Sequence, residues 1–347
     1  MVPDKKKRFT EIDSLRGFAA LGVLLFHFSL ANNILLKYFK YGVTGVDLFF
    51  MISGFVIFMS VSSAKRLEDF WFSRFNRLFP SYWLSIAIAL VSYYFLTSFI
   101  FNKPVGYYLG NILMLQPIFK AGNLVDAYWT LYVELTFYCF ISVAYKCKLF
   151  NKIELIIWIG LLLMLIINGI YLLDIKSEKY TRFFIMSRSV APLISFFSFF
   201  AAGMVYYLIF TKGYSFNRVL LLVTSFFITI LIHNISGRSN FFIGVAESIV
   251  CLLVYNAMFI LILFKKAKFL SIKWFIFLGS ISYPLYLVHE SIGVNLNAYL
   301  SKYVNNYIAL IAGVATSFIL AIIMTYGFEK YVHKWLKRKY YITKGAR

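Results

Sequence analysis

Charge is scarce in this chain: Asp, Glu, Lys and Arg make up 14% of its 347 residues, against roughly a quarter in a soluble domain. The deficit is one-sided, with 14 acidic residues against 35 Lys and Arg and a formal charge of +21. On a chain that is 61% hydrophobic, this excludes an ordinary water-soluble enzyme. A strong positive excess can mark nucleic-acid binding. Here the basic residues are interleaved with long apolar runs, the pattern of cytoplasmic loops between membrane helices, so nucleic acid is not expected as a partner. Cysteine is rare as well. Cys139, Cys147 and Cys251 form an odd set, two of them inside apolar runs, so neither a disulfide framework nor a cysteine metal cluster is implied. The four histidines are scattered without an i,i+4 pair, and no metal is expected. A Gly-rich phosphate loop and a Gly-x-Ser-x-Gly turn are both missing, which excludes P-loop ATPase and nucleophile-elbow hydrolase machinery.

What is present in abundance is apolar sequence of bilayer-crossing length. Segments long enough to span fall at about 14–35, 43–62, 79–100, 127–145, 153–173, 190–211, 218–234, 243–264, 276–299 and 305–328, the seventh being short. Lys5–Arg8 before the first segment imitate a signal peptide, but the apolar run is too long and no small-residue cleavage site follows, so a retained span is expected. The stretch 105–119, broken by Gly106, Gly110 and Pro117, reads as a re-entrant or interfacial piece.

Ten spans place both termini on one side. That side holds 24 Lys and Arg against 10 opposite, with Arg16 at the boundary, which marks both termini as cytoplasmic. The loop 174–189 runs against this trend, and its Arg188 is either a site residue or a plain loop charge. The expected fold is therefore all-α: one polytopic membrane domain over 1–347, with basic tails at 1–13 and 329–347, no soluble esterase domain and an unspecified oligomeric state.

Ionisable side chains inside such spans are costly and mark function by default. His27 follows Arg16 by eleven residues in the first span. On a helix rising ~1.5 Å per residue it lies roughly 16 Å further on, near the middle of a ~30 Å hydrocarbon core. Asp47 sits about one turn inside the second span, followed by Ser53-Gly54, of which Gly54 reads as a helix–helix contact. Glu134 lies about 10 Å inside the fourth span, either structural or functional. Glu247 is a further intramembrane acid without an evident partner. His289 and Glu290 fall toward the outer end of the ninth span, while His233 and His333 are near span ends and read as interfacial. Arg74 and Arg77, three apart on the cytoplasmic side, share a helix face. Spacing alone reads as positive-inside charge; the choice of Arg over Lys leans toward gripping phosphate.

Five ordered motifs carry a resemblance: Asp13-Ser14-Leu15-Arg16-Gly17 with Arg16 and His27, Gly45-Val46-Asp47 through Ser53-Gly54, Arg74-Phe75-Asn76-Arg77, Trp129-Thr130-Leu131-Tyr132-Val133-Glu134, and Ile281-Ser282-Tyr283 through His289. Together they resemble the type-3 acyltransferases, integral membrane proteins that acylate carbohydrates and other extracytoplasmic acceptors. The resemblance implies that Arg16 and His27 form the essential pair and Arg74 and Arg77 the paired-arginine motif. It also implies acyl-coenzyme A, with acetyl as the acyl group, as cytoplasmic donor substrate rather than a resident cofactor. Many relatives carry an added esterase-like domain; its absence here favours direct transfer to the acceptor. Pro284 departs from the family pattern and is expected to kink its span.

Chemistry agrees with what the resemblance implies. Arg16, Arg74 and Arg77, with Lys65 and Arg66, can hold the donor's phosphates in cytosol-facing water. A sugar hydroxyl is a poor nucleophile and needs a base, a role that suits an imidazole with its reference pKa of ~6.5, here His27. Glu134 or Asp47 is expected to orient the other ring nitrogen. Ser53, Tyr283 or backbone donors are candidates for the oxyanion, and His289 for a substrate contact. The expected product is an O-acylated carbohydrate or glycolipid such as surface polysaccharide or lipopolysaccharide O-antigen, made at the cytoplasmic (inner) membrane of a bacterium. The competing reading is a transporter using Arg16, His27, Asp47 and Glu134 as an ion relay, although no matched halves with interrupted helices are seen.

Overall fold

A bare backbone has no water to bond in lipid, so apolar segments of this length are driven to satisfy it internally as helices. In the computed structural model, which describes residues 9–30, 33–97, 102–172, 178–235 and 239–345, all regular structure is helical. In chain order the helices are α1 (Thr10–Ser29), α2 (Asn33–Phe39), α3 (Gly45–Ser62), α4 (Leu67–Leu96), α5 (Val105–Ile112), α6 (Trp129–Lys146), α7 (Ile153–Leu172) and α8 (Glu178–Val190). They continue as α9 (Leu193–Lys212), α10 (Phe216–Leu231), α11 (Val245–Leu263), α12 (Lys273–Val288), α13 (Asn295–Leu300), α14 (Asn306–Ile322) and α15 (Lys330–Gly345).

Among the described residues each of the ten expected spans overlaps a helix, and eight helices are long and apolar enough to cross a membrane. The other two have identifiable shortfalls. α10 has only 16 residues. The ninth span is divided: the 16-residue α12 includes Pro284, and a π-turn at His289–Val294 follows it and leads into α13. The stretch 105–119 does not span; α5 is followed by tight turns and tied to α4, where Tyr82 donates to the Asn111 carbonyl and Trp83 to that of Ile112. Two expected loops are helical instead. Residues 178–190 form α8, and the C-terminal tail forms α15, continuous with α14 through a π-turn at Ile323–Glu329. The basic residues Lys5–Arg8 and the stretch 173–177 lie outside the described residues.

The core is built on close helix contacts. α1 packs along α12, and a Cβ on Gly17 would stand 2.6 Å from the backbone nitrogen of Gly279. α3 packs along α9 in the same way, with Gly54 against the Phe200 backbone and Gly203 against the Met51 carbonyl, so Gly54 is the helix contact expected. Around this second seam Phe50, Phe137 and Phe200 stack at centroid separations of 5.0 and 4.3 Å.

Contacts also sort the bundle into two ends. At one, Ser14 donates to the Leu270 carbonyl, and α15 lies against the start of α4, where Lys344 pairs with Asp69. At the other, Glu247 accepts from Lys40 at 2.5 Å, Tyr41 at 3.1 Å and the Gly244 amide at 3.0 Å. Glu247 thus has partners that its sequence context did not reveal, and it caps α11 at the surface. His233 is structural and buried, its Nε2 3.1 Å from the Ile243 carbonyl.

Candidate active site

α1 presents Arg16 and His27 at two levels of one helix, and they line separate cavities. The Arg16 cavity, about 60 Å³, lies between α1, α3, α4, α6 and α12 and includes Ser53, Arg77, Glu134, Tyr283 and Tyr286. His27 lines one cavity of about 280 Å³ together with Asp47, Asp126, Trp129, Tyr286 and Glu290, and a second of about 500 Å³ with Phe28, Asn297 and Glu290. Val46 and Tyr286 line both the Arg16 cavity and the first of these, so one apolar and one aromatic side chain form the partition between the two chambers. Tyr286 is held in place by its hydroxyl, which donates to the Ala127 carbonyl at 2.9 Å and sits 2.7 Å from Thr130 Oγ1.

The arginine end has a defined polar wall. Ser53 and Tyr138 both donate to Glu134 Oε1, at 3.0 and 2.7 Å. Arg16 lies within electrostatic reach of Glu134, Arg77 and Arg74. Arg74 and Arg77, expected to act alike, are placed differently. Arg77 is exposed and lines the cavity, whereas Arg74 is buried behind it, with Nη2 donating to Ser60 and Ser73 and its guanidinium over the Phe70 ring at 5.8 Å. Lys65 and Arg66 sit on the exposed turn between α3 and α4, and neither lines the cavity.

The two hydroxyls expected as oxyanion donors have protein acceptors in this structure. Tyr283 lines the Arg16 cavity but its hydroxyl proton goes to the Leu78 carbonyl at 2.9 Å. The Ser53 proton likewise goes to Glu134, so both candidate oxyanion donors already donate to protein acceptors. Glu134 itself belongs to the arginine chamber and not to the one that His27 lines; of the two carboxylates expected to orient His27, only Asp47 shares its cavity.

The geometry at His27 defines a tautomer. Its Nδ1 lies 2.9 Å from the Val23 carbonyl and 3.1 Å from His289 Nε2, while His289 Nδ1 lies 2.7 Å from the Tyr286 carbonyl. A carbonyl oxygen only accepts, so both Nδ1 atoms carry hydrogen. His289, fully enclosed, then offers its Nε2 lone pair to the His27 Nδ1–H, and the basic lone pair of His27 is on Nε2. His289, expected as a substrate contact, is a hydrogen-bonding partner of His27. It stands at the first position of the π-turn, whose next residue, Glu290, accepts from the Ala127 amide at 2.8 Å and ties the turn to the start of α6. The contributions of Glu290, Asp126, Trp129 and Tyr286 to this chamber escaped sequence reasoning. Each lies within or beside a quoted motif, but a π-turn leaves no periodic signature to show which face it presents.

Comparison with known proteins identifies the family. The chain is 26% identical over 284 residues to a protein of Acidianus two-tailed virus named as an acetyltransferase, covering 80% of this chain and 81% of that one. It is 29% identical over 92 residues to the peptidoglycan O-acetyltransferase of Listeria monocytogenes, covering 25% of this chain and 14% of that protein. It is 32% identical over 85 residues to an O-acetyltransferase of Staphylococcus aureus, 23% of this chain and 13% of the other. The chain therefore spans only a small part of the two bacterial relatives. No solved structure matches. A family described as acyltransferase domain matches residues 9–326, which takes in the Arg16 and His27 chambers together, and the chain belongs to the type-3 acyltransferase family.

Proposed function

We propose that this membrane acyltransferase moves an acetyl group from acetyl-coenzyme A, held at the arginine end, to a hydroxyl of a carbohydrate presented at the histidine end. The observation that carries the reading is the pair of chambers sharing Val46 and Tyr286, one bearing Arg16 and Arg77 and the other His27. Coenzyme A is a polyanion with a long flexible arm. Its phosphates suit the arginine mouth, and its thioester can reach along the partition toward His27. There His27 Nε2 takes the proton of the acceptor hydroxyl as its oxygen attacks the thioester carbonyl. The tetrahedral intermediate collapses with cleavage of the C–S bond. The coenzyme A thiolate takes up the proton that His27 releases, and the acceptor leaves as its acetyl ester. His289 and the Val23 carbonyl receive the Nδ1–H, hold the ring and favour the imidazolium formed midway.

Transfer is direct in this reading, with the acceptor as the sole nucleophile. The O-acetyltransferase names of the bacterial relatives favour a surface glycan as acceptor, whether peptidoglycan or a polysaccharide such as O-antigen. The arginine end faces the cytoplasm and the chain is multi-pass in a bacterial cytoplasmic membrane, in keeping with the excess of basic residues on that side.

Purified protein in liposomes, given acetyl-coenzyme A and a glycan acceptor, should release free coenzyme A in step with acetyl ester. His27→Gln, which keeps a polar group but cannot accept the proton, should lower turnover by about 10²–10⁴-fold with donor affinity near normal. Turnover of His27→Gln within a few-fold of the parent removes His27 as base. Donor binding without ester formation on any glycan overturns the acceptor class.

A further inference from the structure

We propose that α15 completes the donor-binding site: Lys337 and His333 join Arg77 in holding a phosphate of the donor nucleotide at the mouth of the Arg16 cavity. The inference rests on the coenzyme A reading above and goes beyond it, because the C-terminal helix lies outside every motif that suggested that reading.

The helix is firmly seated. Tyr340 stacks on Phe72 with centroids 3.8 Å apart and planes 6° from parallel, and its hydroxyl donates to Asp69 at 2.9 Å. Lys344 pairs with the same carboxylate, and Asn76 Nδ2 donates to the His333 carbonyl at 3.4 Å. These contacts set α15 along the first turns of α4 and bring His333 next to Asn76, the residue before Arg77. The His333 imidazole lies in the field of both Arg77 and Lys337. Lys337 follows His333 by four residues, so the two share a face of α15.

Two observations point from this cluster to a ligand. Neither Arg77 nor Lys337 forms an ion pair among the described residues, although Lys344 on the same helix does. In addition, two buried polar atoms without a hydrogen-bond partner lie where α4 meets α15: Asn76 Oδ1 and His333 Nε2. Buried polar atoms left unsatisfied are uncommon and call for an explanation. Asn76 is itself 3% exposed. A phosphorylated nucleoside answers both, since phosphate oxygens accept from the Arg77 guanidinium, the Lys337 ammonium and an imidazole N–H of His333 while a ribose hydroxyl or base amino group donates to Asn76 Oδ1. An anionic lipid headgroup offers the same phosphate chemistry, and the test separates the two.

The full-length protein is assayed in phosphatidylcholine nanodiscs with acetyl-coenzyme A, its 3′-dephospho form and S-acetyl-pantetheine, which lacks the nucleotide. Lys337→Ala should raise KM for acetyl-coenzyme A about tenfold with kcat little changed, and Lys337→Arg should restore most of it. The tenfold loss should vanish with S-acetyl-pantetheine; its disappearance with the dephospho donor as well would assign Lys337 to the 3′-phosphate. His333→Ala should behave like Lys337→Ala, more weakly. An equal loss on S-acetyl-pantetheine means that α15 acts only through folding and overturns the site. A loss seen only when phosphatidylglycerol is added assigns α15 to lipid and overturns it too. A parent enzyme that handles acetyl-coenzyme A no better than S-acetyl-pantetheine sinks the donor reading itself, an outcome visible before any variant is made.

Discussion

At the scale of single residues, the chemistry turns on which hydrogen each imidazole carries. Backbone carbonyls decide it: Val23 for His27 and Tyr286 for His289. The result is a hydrogen-bonded pair of rings in which the buried one orients the other, a part more often taken by a carboxylate. In the proposed mechanism His289 is a positioning residue, and its removal should have a kinetic signature. His289→Ala should lower kcat by roughly tenfold, by loosening the His27 ring, while KM for the donor stays near that of the parent. A variant whose KM rises while kcat holds would place His289 in substrate binding instead. Asp47 and Glu290 line the same cavity as His27, whereas Glu134, whose Oε1 accepts from Ser53 and Tyr138, lies in the other chamber.

At the scale of elements, α4 shows how a short motif divides its labour. Arg74 and Arg77 are three residues apart, yet one is buried against Phe70 and Ser60 and the other is exposed at the cavity. Arg77→Ala should raise KM for the donor by an amount equivalent to ~1.5–3 kcal/mol with little change in thermal stability, since it removes a charge-assisted contact to ligand. Arg74→Ala should instead lower the melting temperature in detergent as well as the activity, because it empties a buried site and strands the hydroxyl of Ser60. If both variants melt like the parent and only KM moves, the division is wrong and both arginines reach the donor. α12 divides its labour too: Gly279 lets α1 approach, Tyr286 builds the partition, and the π-turn after Val288 turns His289 toward His27.

At the scale of the whole molecule, the bundle is polarised. The start of α4, the Ser14–Leu270 contact and α15 occupy one end, while His27, the Ala127–Glu290 contact and Glu247 with Lys40 are toward the other. With basic residues concentrated on the first side, that end should face the cytoplasm. A cysteine placed at Lys65 or Lys339 in a variant stripped of native cysteines should react with a membrane-impermeant maleimide only after the cells are opened. One at Phe241, which is 78% exposed near the other end, should react in intact cells. The reverse pattern would invert the enzyme and put the arginine mouth outside, away from coenzyme A.

The amino-acid sequence by itself determined the class of the protein, the positions of its ten helical segments and the family to which it belongs. Each of these rests on local signals. A bilayer-length apolar run has to close its own hydrogen bonds, and ionisable groups such as Arg16 and His27 stand out where they cannot be solvated cheaply. Gly54 was legible as a contact for the same reason, since small size matters wherever helices touch. Tertiary structure alone decided who meets whom. Glu134 and Asp47 both look like orienting carboxylates from their depth in a span, but depth is one coordinate and partnership needs the helix's rotation and neighbours as well. Packing placed Glu134 with Ser53 and Tyr138, gave His27 a histidine partner 262 residues away, and paired Glu247 with Lys40. It also turned a basic tail into a helix docked on α4, because the contacts that hold α15 there are made to Asp69, Phe72 and Asn76, far away in the chain and silent in its local pattern.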